Sequence, residues 1–222
     1  MKTVLTIISF CFFTHIYSQK CECSNNPDLK NLISCKQTRF QNGAKIYWNY
    51  DCNSSWIIFE NGKIKKKIFE LDKQSIEYSG RLGYRNWREY KNAFLIENSL
   101  VSGCCQPSEF TLYNKNNGKK IAELGTIIFF KDSKENQFAL TFNNNNNLLF
   151  TKLNENKYCR IKIPQNLIEI ALKNSNELYP ENLFENIKFK NELLTFDIKY
   201  KEKQNSVWKK KTIIFDTKKY CR

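Results

Sequence analysis

With 36 Lys and Arg against 22 Asp and Glu, the 222-residue chain carries a formal charge of +14, and it holds one histidine, one methionine and nine cysteines. Its only histidine, His15, stands in a leader-like opening segment. Removal of that segment excludes Ser-His-Asp and Cys-His nucleophiles, imidazole metal ligation and imidazole proton shuttling from the mature chain.

The first eighteen residues, MKTVLTIISFCFFTHIYS, place Lys2 before an apolar run from Val4 to Phe13 and finish on a small residue, the layout of a cleaved secretory signal peptide. The run is too short to span a bilayer, and no later stretch approaches spanning length. Gln19 and Lys20 precede Cys21 where lipid attachment needs small uncharged residues, so a soluble exported product, periplasmic or extracellular, is expected. Residues 19–43 form a polar, cysteine-bearing segment with a short helix expected from Asp28 to Ile33, after Pro27. Residues 44–222 are expected to form a single disulfide-braced all-β domain.

From Lys45 onward short runs rich in Ile, Phe, Tyr and Leu succeed one another: YWNY, WIIFE, KIFEL, SIEYS, AFLIE, EFTLY, KIAEL, TIIFF, FALTF, LLFTKL and CRIKI. Asn61-Gly62 and Asn117-Gly118 mark hairpin turns, because both residue types tolerate positive φ. Alternating Phe138, Leu140 and Phe142 read as sheet core. QNLIEIALKN, residues 165–174, has helix-spaced apolar residues after Pro164 and is the one longer helix expected. LLTFDIKY and KKKTIIFD close the chain as strands either side of a polar turn at Lys203 to Asn205.

Four stretches, starting at Trp56, Phe110, Leu148 and Leu194, each read as strand, polar turn and strand, about forty to fifty residues apart. The fold class is therefore mainly β, an antiparallel meander. A small or incomplete propeller is the first expectation, with a sandwich or irregular barrel as the alternative.

Without Cys11, eight cysteines remain: Cys21, Cys23, Cys35, Cys52, Cys104, Cys105, Cys159 and Cys221. An even number bound for an oxidising space reads as up to four disulfides, whose connectivity the sequence leaves open. Cys21, Cys23 and Cys221 sit close to the two ends of the mature chain, so both ends are expected to be stapled to the body. Adjacent Cys104 and Cys105 would face opposite ways on a strand, so each is expected to take a distant partner. The Cys21-Glu22-Cys23 spacing would suit a soft metal, but no second pair and no histidine accompany it, so disulfides are favoured and neither a metal nor another cofactor is expected.

The composition is skewed to Lys, Asn and Ile, as an AT-rich coding sequence produces, and the lysines lie along many strands with short concentrations only at Lys65 to Lys67 and Lys209 to Lys211. Spread in this way they read as a solvated surface, and nucleic acid is not the favoured partner. Arginine follows another pattern: of six in the chain, Arg81, Arg85 and Arg88 fall within GRLGYRNWREYKN, residues 80–92, interleaved with Tyr84, Trp87 and Tyr90. A guanidinium fork grips carboxylate, phosphate or sulfate, and rings beside it stack on sugars or on the guanidinium itself. The same residues also describe a loop tied by stacking and by pairing to Glu77, Glu89 or Glu97. The reading that follows is an exported, non-catalytic binding protein that takes an anionic or glycan ligand, or another exported protein, through this loop. The alternatives are an inhibitor or immunity-type protein against a hydrolase, and a glycan hydrolase built on a carboxylate pair.

Overall fold

A computed structural model of the chain describes residues 21–74, 86–98, 108–133, 136–143, 147–177 and 179–221. Among them, fourteen strands form three antiparallel sheets in which sequence neighbours are hydrogen-bonded neighbours. The first sheet holds β1 (Thr38–Arg39), β2 (Lys45–Tyr50), β3 (Ser54–Asn61) and β4 (Ile64–Asp72). The second runs from β5 (Asn86–Glu89) through β6 (Ala93–Asn98), β7 (Glu109–Asn114), β8 (Lys120–Ser133), β9 (Asn136–Phe142) and β10 (Leu148–Lys152) to β11 (Lys157–Ile161). The third comprises β12 (Phe184–Lys190), β13 (Leu193–Tyr200) and β14 (Lys209–Asp216). Short helices α1 (Leu29–Leu32) and α3 (Thr217–Tyr220) lie towards the two ends, and α2 (Gln165–Ser175) joins the second sheet to the third.

The mainly β, antiparallel expectation holds, and the four repeated stretches are the hairpins β3–β4, β7–β8, β10–β11 and β13–β14. Equal propeller blades do not form, since the sheets contain four, seven and three strands. The physical reason lies in β8. KIAEL and TIIFF, read as two strands, are one continuous strand through Gly125, whose φ of 83° lets the chain kink without ending. Before the kink β8 pairs with β7, and from Thr126 onward with β9. One strand therefore serves two neighbours where a blade boundary would have separated them.

Period-two alternation lays out the cores. Trp48, Tyr50, Ile57 and Phe59 of the first sheet bury themselves against Phe94, Ile96 and Tyr113 of the second, with Cys23, Leu29, Ile33 and Phe40 of the amino-terminal segment in the same cluster. Phe94 is stacked on Phe59 at 5.5 Å and on Tyr113 at 5.2 Å, each pair within 9° of parallel. At the other end Phe138, Leu140 and Phe150 meet Leu167, Ile168 and Ala171 of α2 and Phe196 and Ile198 of β13. Each end is thus a two-layer sandwich over one long sheet.

The long sheet also buries its opposite face. Leu95, Phe110, Leu112, Leu124 and Ala139 form a third cluster with Tyr90 and Leu153. No separate layer is needed there because the sheet curls: β5 and β8 are three steps apart in the ladder, yet Arg88 of β5 touches Phe130 and Asp132 of β8. Among the described residues the curl stays open, with β5 and β11 as the two ends of the ladder.

Three disulfides close on this frame: Cys21–Cys35, Cys23–Cys52 and Cys159–Cys221. Cys21, Cys23 and Cys221 are each bridged to the body, as expected for these cysteines. Cys104 and Cys105 lie outside the described residues. The six described cysteines are committed to one another, so none of them is the distant partner expected for either.

A second tie is a two-residue turn. Asn191 and Glu192 both take positive φ, 50° and 64°, as a hairpin turn between β12 and β13 requires. Glutamate is an unfavourable residue for this conformation, yet its carboxylate is engaged. It accepts from Lys152 of β10 and, at 2.9 Å, from the Thr217 hydroxyl at the start of α3. The strained turn fastens the third sheet to the second.

Candidate functional site

The described half of the arginine-aromatic segment is an edge strand, β5, and not a loop: Asn86 to Glu89 pair with Glu97 to Phe94 of β6. Strand alternation then separates residues that are neighbours in sequence. Trp87 faces the first sheet and packs on its core, whereas Arg88 and Tyr90 belong to the opposite face. Arg81, Tyr84 and Arg85 lie outside the described residues.

Arg88 is held on two sides. Its guanidinium lies 4.6 Å from the centroid of the Phe130 ring, and Nη1 donates to Asp132 Oδ2 at 3.3 Å. The side chain remains 43% exposed, and its other donors find no partner among the described residues. Asp132, not Glu89 or Glu97, is the carboxylate it takes. Glu89 is engaged elsewhere: its Oε1 accepts from the buried Lys115 ammonium at 2.8 Å and from the Gln41 amide at 2.7 Å, which locks β5 to the first sheet.

Tyr90 is buried, and its hydroxyl makes no well-formed hydrogen bond. Burial pushes its pKa well above the usual phenol range and the nearby Asp132 carboxylate pushes it further. A phenol in that setting stays protonated and offers no stacking face, so Tyr90 is core. Within the described segment, Arg88 is the exposed arginine, with Asn86, Lys91 and Asn92 also exposed, while Trp87 packs on the opposite face of the strand.

Four carboxylates elsewhere are shifted downward. The Tyr47 hydroxyl, donating at 2.6 Å, holds Glu60 below its ordinary value, with Lys65 adding to the effect. Lys210 and Lys199 do the same to Glu185, Lys152 to Glu192, and Asn186 and Thr212 to Asp197. A general acid needs the opposite shift. The C-x-C chelate is also spent, since Cys21 and Cys23 sit in separate disulfides.

Both lysine triplets fall on strands that are outermost in their sheets among the described residues, Lys65 to Lys67 on β4 and Lys209 to Lys211 on β14. Lys65, Lys67, Lys209 and Lys210 are each paired to a glutamate, at 3.0, 2.8, 2.7 and 2.6 Å.

A further group was not singled out by sequence. At the β13–β14 hairpin Trp208 lies beneath two ammonium groups, Lys199 at 5.3 Å and Lys201 at 4.9 Å from the ring centroid. Trp208 stays 41% exposed and Val207 beside it 77%. The signal was present in KYKEKQNSVWKKK, where lysines recur at alternate positions, Lys199, Lys201 and Lys203, before a polar turn and Trp208 follows it. No helix among the described residues is long and apolar enough to cross a membrane. No protein-family model matches the chain, and no curated protein compared with it is similar in sequence.

Proposed function

We propose that the protein is an exported, non-catalytic binding protein that takes an anionic ligand, free or as the acid groups of a glycan, at the arginine-bearing segment of residues 80–92. The observation that carries this reading is Arg88: a guanidinium fixed by a ring and a carboxylate, with its remaining donors turned to solvent. A cation already immobilised loses little further freedom when an anion arrives, and a planar fork suits carboxylate and sulfate. Arg81 and Arg85 stand seven and three residues before it and supply further charge to the same segment. Export is supported by three disulfides, which persist in oxidising compartments.

The test is retention on immobilised dextran sulfate and polygalacturonate of the oxidised protein, of Arg88→Ala, and of the triple variant Arg81→Ala/Arg85→Ala/Arg88→Ala. The triple variant should lose retention, and Arg88→Ala should weaken it about tenfold, the worth of one charge-assisted hydrogen bond. Melting temperature should change little, because an exposed ion pair contributes about 1 kcal/mol or less. Unaltered retention, or a melting temperature that collapses in the triple variant, would show these arginines to be braces.

A further inference from the structure

We infer that the β13–β14 hairpin is a membrane-surface docking site that seats the protein on anionic lipid, with Val207 and Trp208 entering the headgroup layer and the surrounding lysines meeting the phosphates. It is a second surface, independent of the arginine segment.

The observations are of three kinds. The first is apolar exposure without a partner: Val207 is 77% exposed and adjoins the half-exposed Trp208 in the turn between two strands. Single exposed apolar residues are ordinary. An adjacent aliphatic and indole at a turn, ringed by cations, match what interfacial anchors use.

The second is charge. Lys199, Lys201, Lys203, Lys209, Lys210 and Lys211 surround the hairpin, against Glu202, Glu185 and Asp197. Glu202 takes Lys209, and Glu185 takes Lys199 and Lys210. Lys201, Lys203 and Lys211 have no acidic partner among the described residues, so the patch keeps a surplus that an anionic surface complements.

The third is preorganisation. Asn174 of α2 donates to the carbonyls of Lys201 and Glu202 at 3.0 and 2.8 Å, and Gln204 donates to Asn176 at 3.1 Å. Ser206 closes the turn through its amide and hydroxyl to the Lys203 carbonyl, at 3.0 and 2.8 Å. The turn is held to a packed helix, so Val207 and Trp208 keep their exposure instead of folding back.

A soluble acidic glycan fits less well. Stacking a sugar needs an open indole face flanked by hydrogen-bonding side chains, whereas ammonium groups cover this ring and the exposed neighbour is valine.

Flotation of the oxidised protein with phosphatidylcholine vesicles, with and without phosphatidylglycerol, tests the assignment. Wild type should float with the anionic vesicles only. Lys201→Gln/Lys203→Gln/Lys211→Gln should lower partitioning about a hundredfold, at roughly fivefold per lysine, and Val207→Ser/Trp208→Ala at least about tenfold. Brominated acyl chains should quench wild-type tryptophan fluorescence and quench Trp208→Phe far less. Arg88→Ala should partition as wild type does, which separates this surface from the arginine segment. Both hairpin variants should melt as wild type does, and if the Val207/Trp208 variant fails to fold, the lysine variant decides alone. Equal flotation with both vesicle types, no flotation, undiminished flotation of a folded hairpin variant, or retention on dextran sulfate that depends on Trp208 while vesicles are ignored would overturn the proposal.

Discussion

Thr141 of β9 and Thr151 of β10 are fully buried, and neither hydroxyl has a hydrogen-bond partner among the described residues. Such an orphan costs about 1 to 3 kcal/mol relative to an apolar group of the same shape. Thr141→Val should therefore raise the denaturant midpoint with no change in slope, a gain of about 1 kcal/mol, and Thr151→Val should act in the same direction. A loss of stability instead would mean that the hydroxyl is satisfied by a bound water. At this same scale the arginine cluster was only half legible. Residue types and spacing identified cations beside rings, but which ring meets which cation depends on strand alternation and sheet curl. Arg88 stacks on Phe130, forty-two positions away, and not on its neighbour Trp87.

Elements were read more securely than their partners. β13 and β14 coincide with LLTFDIKY and KKKTIIFD, and α2 follows Pro164 and ends where Asn176 turns left-handed at φ 56°. Local pattern sufficed there because each segment is strongly periodic and bounded by polar turns. β12, FENIKFK, went unread although Ile187 to Lys190 alternate as a strand does: the segment is short, and the bulge at Asn186, with its positive φ, breaks the alternation near its start. SIEYS lies outside the described residues. The fusion of two expected strands into β8 rests on Gly125, where an added Cβ would stand 2.4 Å from the Phe142 carbonyl oxygen. Gly125→Ala combines that backbone clash with a disfavoured φ, so it should cost about 2 to 4 kcal/mol in chemical denaturation. A variant as stable as wild type would show that the kink shifts freely.

At the scale of the whole molecule, disulfides and layers divide the work. Cys21–Cys35 and Cys23–Cys52 close short loops at one end, while Cys159–Cys221 spans 62 residues and ties the last strand of the second sheet to the chain terminus beyond the third. By loop length that bridge contributes about 4 kcal/mol and Cys21–Cys35 about 3. Cys159→Ala/Cys221→Ala should lower stability by up to that amount and loosen the third sheet first, which hydrogen exchange of β12 to β14 would register ahead of β2 and β3. Uniform loss of protection across all three sheets would show a single cooperative unit instead. The cross-linking chemistry was legible because it follows from counting cysteines. The three-sheet layout was not, because hairpins recur at similar intervals in every antiparallel meander. The lysine triplets on β4 and β14 have a bearing on crowding. An open strand edge is a template for another chain, and two copies of this protein meeting edge to edge bring three consecutive ammonium groups against three more. Glu202 and Glu185 hold the Lys209 and Lys210 protons beyond the usual lysine range, so both ammonium groups stay charged into alkaline solution. Added salt shortens the reach of those charges to a few ångströms. Lysines spread by composition thus place like charge along two of the open sheet edges.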